Sequence, residues 1–286
     1  MPGDYECGLA ANRVFPVNYK VDIHLKHRIN AGRVAVENQY GFFHDQFGRV
    51  ESEWKEDDTR VTFADFAISE RVSAELRKSF PEDDFCSEES NPQDEVLELT
   101  ARFAWILDPI DGTNNYAIGI PVCAISLALL MDGVPVYGFI YDMSRRVLIE
   151  GGPGIGVFEG RTSRSVIKDE LNAQSVVGMH FPLSLSDCDR LLPLLTRYRL
   201  RSLGSGALIG AFAAIGLLDG ALDFKVKVWD IAAVHALVHA GGGDFHFINE
   251  PIFPLREFHV GMPATPYFAG TPSFCLFIKG LLEGRK

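Results

Sequence analysis

The sequence predicts a mixed α/β fold, with antiparallel sheet plus helices in its first part and alternating strands and helices in its second. Three observations carry this. Apolar runs at 122–131, 134–141 and 147–150 follow one another closely, and Asp132-Gly133 supplies a hairpin turn between the first two. After about residue 160, strand-like and helix-like stretches alternate. A well-signalled helix precedes both regions. Layered sheets and helices fit this order better than a single barrel.

The elements follow in order. Residues 17–40 are mixed and mildly amphipathic and read as a helix. Residues 62–80 read as a second: Thr62 and Asp65 resemble a capping box, Ile68, Val72 and Leu76 share a face, and Pro81 stops the run. The apolar stretch 103–107 reads as a buried strand ending at Asp108. The glycine-rich 151–160, with Arg161, reads as a turn region. Beyond it come a strand at 175–179, helices at 186–198 and 205–218, and a helix at 231–240 closed by Gly241, Gly242 and Gly243. Residues 268–282 are apolar and expected to be buried. The chain is expected to form one domain over 1–286, in two halves, 1–160 and 161–286.

A chain of 286 residues can bury a full core. Its net charge of −11 repels nucleic-acid backbones and anionic lipids, so neither a nucleic-acid polymer nor a membrane is an expected partner. A phosphorylated substrate is repelled too, unless cations or backbone amides neutralise it locally. Cys7, Cys86, Cys123, Cys188 and Cys275 are scattered and lack metal-ligand spacing, which fits a reduced, cytoplasmic setting.

The segment Asp108-Pro109-Ile110-Asp111-Gly112-Thr113 concentrates the chemistry. A buried strand delivers Asp108, Pro109 fixes a turn, and Asp111 is free to converge on the same point. Gly112 permits close backbone approach, and Thr113 opens a helical turn. Carboxylate oxygens suit a hard cation, and amides at a helix start suit a phosphate. Other candidates carry less. His235 and His239 have helical spacing but lack a third ligand, so a surface or packing role is expected. Gly152, Gly154 and Gly156 lie between strands and read as a turn, not a dinucleotide loop. Ser205 lies outside any nucleophile elbow.

Residues 105–116, WILDPIDGTNNY, resemble the signature of the inositol monophosphatase family of lithium-sensitive, magnesium-dependent phosphatases. Three further elements resemble that family in order: the stretch from Lys55 through Asp57 and Thr59 to Asp65, Ser87-Glu88-Glu89-Ser90, and Val228-Trp229-Asp230-Ile231-Ala232-Ala233. Together they span roughly residues 20–280. Ser87 replaces the family's usual glycine, and Asn114-Asn115-Tyr116 stands where the family usually has T-N-F, but neither change removes a ligand.

The resemblance implies the layered αβαβα sandwich of the inositol monophosphatase and fructose-1,6-bisphosphatase superfamily. It implies two to three Mg2+ per site, with Mn2+ as a substitute and Li+ as an inhibitor. Glu88, Asp108 and the Ile110 carbonyl are expected to hold one ion; Asp108, Asp111 and Asp230 the second. A looser third is expected near Glu88 and Asp65. Thr113 and Asp65 are expected to orient and deprotonate the attacking water, with the Gly112 and Thr113 amides on the phosphate. Gly204, Ser205 and Asp223 are expected to meet the alcohol part of a small polyol or sugar phosphate. Lys227 is expected at the surface. A homodimer is part of the same expectation. Fructose-1,6-bisphosphatase, histidinol-phosphatase and 3′(2′),5′-bisphosphate nucleotidase activities are alternatives, and Arg201, Lys225 and Lys227 keep a bisphosphate substrate open. A non-catalytic binding member is the remaining one.

Overall fold

The computed structural model describes residues 23–55, 60–89, 95–166 and 170–284. It begins with α1 (Ile23–Glu37), α2 (Tyr40–Gln46) and the antiparallel pair β1 (Ser52–Trp54) and β2 (Arg60–Thr62). Next come α3 (Phe63–Ser79), β3 (Asp84–Ser87), β4 (Leu97–Glu98), β5 (Phe103–Asp111) and the short α4 (Thr113–Ile118). A meander follows: β6 (Ala124–Met131), β7 (Val134–Asp142), β8 (Val147–Gly152), β9 (Gly156–Glu159) and β10 (Thr162–Arg164). The second part runs β11 (Val176–Met179), α5 (Leu185–Arg197), β12 (Arg199–Arg201), α6 (Gly206–Ala214), β13 (Gly220–Asp223) and α7 (Val228–Ala240). It ends with β14 (Asp244–Phe247), β15 (Glu257–Phe258), β16 (Tyr267–Gly270) and α8 (Pro272–Leu282).

A seven-stranded sheet has the order β10-β9-β8-β7-β6-β5-β3 and is antiparallel except for the β3–β5 pair. A five-stranded sheet has the order β12-β11-β13-β16-β14, with β12, β11 and β13 parallel. Helices α1 and α3 cover the outer face of the first sheet, and α5 and α8 pack outside the second. Helices α6 and α7 lie between the sheets and touch both. The layers therefore run αβαβα, as expected.

Sequence explains the layering. A helix that is apolar on every side must be buried on every side. In α7 only Asp230, His239 and Ala240 escape full burial. Its neighbour α6 approaches closely because Gly210 has no side chain: a Cβ there would stand 2.3 Å from Val234 Cγ1.

Several boundaries differ from expectation. The predicted 17–40 helix divides at Asn38 and Gln39, where Gln39 N–H bonds the Val36 carbonyl at 3.0 Å in a tightened last turn. Residues 17–22 lie outside the described residues. The 151–160 region is not all turn: β9 pairs with β8 and buries Val157, a strand hidden in the sequence by its flanking glycines. The predicted 205–218 helix ends at Ala214, before Gly216 takes a positive φ of 77°. Helix α7 starts ahead of the predicted 231 because the Asp230 carboxylate accepts the Lys227 N–H at 2.7 Å and caps the first turn. His235 is buried against Phe245 and Phe253, so its role is packing. Among the described residues, no helix is long and apolar enough to cross a membrane.

Candidate metal and phosphate site

The predicted strand does not stop at Asp108; β5 continues to Asp111 with an irregularity between the two aspartates. Side chains alternate faces along a strand, so residues three apart would ordinarily point to opposite sides. Here Asp108 pairs with Ser126 and Asp111 with Ala124, two positions apart on β6. The inserted residue therefore returns both aspartates to one face. Pro109, without an N–H to give the ladder, lies inside the irregular stretch. Asp230 arrives from the first turn of α7, and the three aspartates offer oxygen atoms within 4.8 Å of one another.

Asp111 also joins the two sheets. It accepts the Gly206 and Ala207 amides at 3.0 and 2.9 Å, together with the Ser205 hydroxyl. Those donors open α6, so the positive helix end faces a carboxylate. Ser205 was expected to meet substrate. It is fully buried, caps Leu208 N at 3.3 Å and acts through Asp111. Gly112 has a φ of 87°, and a Cβ on it would lie 3.0 Å from the carbonyl oxygens of Gly204 and Val122. Gly204 is exposed beside Asn115, whose amide nitrogen binds the Val122 and Leu203 carbonyls at 2.8 Å each.

The capping box of α3 orients Asp65. Its Oδ2 accepts Thr62 N–H at 2.8 Å and Thr62 Oγ1–H at 2.6 Å, which leaves Oδ1 facing Thr113 Oγ1 at 3.3 Å. Thr113 Oγ1 is also 2.8 Å from the Ile110 carbonyl. Replacing Thr62 by Ala removes the cap and one anchor of Asp65. The expected result is a loss of about 1 kcal/mol of stability with a fall in kcat, read by thermal melting and phosphate release. Full retention of both would show that the box does not position Asp65. Glu88 stands beside this group, its carboxylate 2.9 Å from Lys55 Nζ, which also pairs with Glu89. Asp57, Thr59 and Ser90 of the matched stretches lie outside the described residues.

Burial first, and then the charges of Glu88, Asp111 and Asp230, hold the Asp108 carboxyl well above its ordinary range. Burial, followed by the charge of Asp111, pushes Asp230 up to about 8. Burial likewise raises Asp111, against the hydrogen bond from Ser205. Asp65 rises to about 7 through burial, opposed by its bonds to Thr62. Buried carboxylates this close repel one another unless protonated or bridged by positive charge. An all-oxygen donor set of this kind fits a hard divalent cation.

The chain matches the model of the inositol monophosphatase family over residues 22–269. It belongs to the inositol monophosphatase family. The family is one of phosphatases. A "Fructose-1,6-bisphosphatase/inositol-1-monophosphatase" of Aquifex aeolicus is 27% identical over 236 residues, covering 79% of this chain and 88% of that protein. A "Nus factor SuhB" of Xylella fastidiosa is 32% identical over 189 residues, covering 63% and 67%. The solved structure of a Thermotoga maritima IMPase superposes with a TM-score of 0.77 at 22% identity, covering 91% of this chain and 98% of that one, which establishes the fold.

Within this family member, Asp223 is neither solvated nor free. It is buried at the end of β13, with Oδ2 2.6 Å from His180 Nδ1 and Oδ1 accepting the Lys225 N–H at 2.8 Å. Lys227 is not a surface lysine pairing with carboxylates: it is half-buried, and its Nζ donates to the Met262 carbonyl at 2.7 Å. Arg201 and Lys225 are exposed. Sequence reasoning missed His180 and left Lys55 without a role. The missed signal was a polar residue directly after the predicted strand at 175–179, which the structure pairs in parallel, the edge where open α/β sheets bind ligands.

Proposed function

We propose that this family member is a magnesium-dependent phosphomonoesterase acting on inositol monophosphate or a similar small polyol or sugar phosphate. One observation carries the reading: Asp108, Asp111 and Asp230 converge within 4.8 Å, and the Thr113–Asp65 pair stands beside them. Glu88, Asp108 and the Ile110 carbonyl would hold one ion, and Asp108, Asp111 and Asp230 another. Bound magnesium supplies positive charge to phosphate oxygens and acidifies coordinated water. Thr113 orients the attacking water, and Asp65 takes up its proton. The Gly112 and Thr113 amides bind the phosphate oxygens whose charge grows during attack.

A monophosphate is favoured over a bisphosphate because the Lys227 ammonium is held by Met262 and neither Arg201 nor Lys225 is buried beside the aspartates. A non-catalytic role draws only on a name, "Nus factor SuhB", which relatives from Xylella fastidiosa and Pasteurella multocida carry. Retention of Asp65, Glu88, Asp108, Asp111, Thr113 and Asp230 favours catalysis.

The test is a phosphate-release screen over inositol 1-phosphate, fructose 1,6-bisphosphate, histidinol phosphate and adenosine 3′,5′-bisphosphate. It is run with Mg2+, with EDTA, and with Mg2+ plus millimolar Li+. Release from inositol 1-phosphate that requires Mg2+ and falls with Li+ is expected. No release from any ester would overturn the reading, and preference for a bisphosphate would overturn the substrate class.

A further inference from the structure

His180 and Asp223 form a polar pair that the metal and water-activating groups do not use. Parallel strands β11 and β13 bring them together. Met179 is in register with Leu222, so the residues that follow stand side by side at the carboxyl ends of both strands. Asp223 is 1% exposed, and its Oδ2 lies 2.6 Å from His180 Nδ1, an ion-pair contact without hydrogen-bond alignment. A carboxylate on one ring nitrogen fixes the orientation of an imidazole and leaves the other nitrogen to act.

That other nitrogen, Nε2, is buried and has no hydrogen-bond partner among the described residues. The ring lies against the opening turn of α6: Cε1 would be 3.7 Å from a Cβ placed on Gly206, whose amide binds Asp111. Across β13, Tyr267 is in register with Asp223, and its buried hydroxyl also lacks a partner. Asp223 Oδ2 likewise has no aligned hydrogen bond, so three buried polar atoms of one cluster await partners; buried polar atoms are nearly always paired, and such a group marks where a polar ligand completes the site.

We propose that His180, oriented by Asp223, is the residue that reads the alcohol part of the substrate, its Nε2 hydrogen-bonding a hydroxyl of the polyol that carries the phosphate. The inference rests on the phosphatase reading and deepens it. Asp223 then serves as a positioning residue, and substrate meets imidazole in place of a carboxylate. An imidazole can donate to or accept from a hydroxyl, and a hydroxyl can do both in return.

The test compares kcat/KM on three polyol phosphates (inositol 1-phosphate, glycerol 2-phosphate and glucose 6-phosphate) with that on phenyl phosphate, whose alcohol part has no other hydroxyl. For His180→Ala, the ratio of the best polyol phosphate to phenyl phosphate is expected to fall about 10–100-fold, mainly through KM. His180→Gln, which keeps a donor and an acceptor, should recover part of the ratio. Asp223→Asn should lower it less than His180→Ala. An unchanged ratio, or equal loss on all esters, overturns the proposal, as does a wild type that accepts phenyl phosphate alone. If the wild type releases phosphate from none of them, the phosphatase reading itself falls and this inference with it.

Discussion

Asp108→Asn is expected to lower magnesium-dependent phosphate release by about a thousandfold or more, roughly 4 kcal/mol of transition-state stabilisation. Asp108 is the carboxylate on which the charges of Glu88, Asp111 and Asp230 all act, so it lies at the centre of the proposed ion site. The amide keeps the size of the side chain, and its oxygen can still accept the Ile110 N–H that Asp108 Oδ1 accepts at 3.1 Å. The fold therefore survives. Because burial and its neighbours hold the Asp108 carboxyl well above its ordinary range, the metal-free fold must keep it protonated; asparagine is neutral without that cost, so the variant should melt higher than wild type in EDTA. Activity and metal-free stability thus move in opposite directions. A structural lesion lowers both, and unchanged turnover would end the two-ion model.

Magnesium should stabilise the protein strongly, and more so at high pH. Asp230 titrates near 8 and Asp65 near 7 in the folded chain, against an ordinary value of 3.8. The folded state therefore binds protons that the unfolded state has released. The stability this gives is fully present below the unfolded value and is lost as pH rises through the folded values. That loss begins near the unfolded value of 3.8 and is complete near pH 8, so in EDTA the melting temperature should fall most clearly between about pH 6.5 and 8. Below it, His235 and His239, which burial keeps neutral, act with the opposite sign. Magnesium at about a hundred times its Kd adds ~2.7 kcal/mol, or roughly 5–10 °C for a chain of this size. The gain should be larger at pH 8.5 than at pH 6.5, because protons compete with the ion for the same oxygens. Scanning fluorimetry across pH, with and without magnesium, reads this directly. A magnesium shift equal at both ends, or absent, would separate the aspartate cluster from metal binding.

Most of the layered fold was legible because its signals are local. The helix after Thr62 announced itself through a cap, an apolar face and a following proline, and the capping box is present as read. The meander was legible from apolar runs and the turn at Asp132-Gly133, which both take positive φ. β9 was missed because its strand character rests on a few residues between glycines, and only pairing with β8 makes it a strand.

The contiguous Asp108–Thr113 segment determined its own chemistry. Two carboxylates, a proline without an N–H to donate and a glycine free to take a positive φ are properties of the chain itself, and together they point to metal and phosphate. How those groups are used was decided by packing. A register shift against β6 turns Asp108 and Asp111 to one face, α7 brings Asp230 to them, and the start of α6 clasps Asp111. Asp223 makes the difference plain. Its position in the sequence suggested a free carboxylate facing substrate, but parallel pairing of β11 with β13 sets it against His180 and turns it inward. Which partner a buried carboxylate takes depends on neighbours that the sheet supplies from distant parts of the chain. Those neighbours have no imprint on the residues around it.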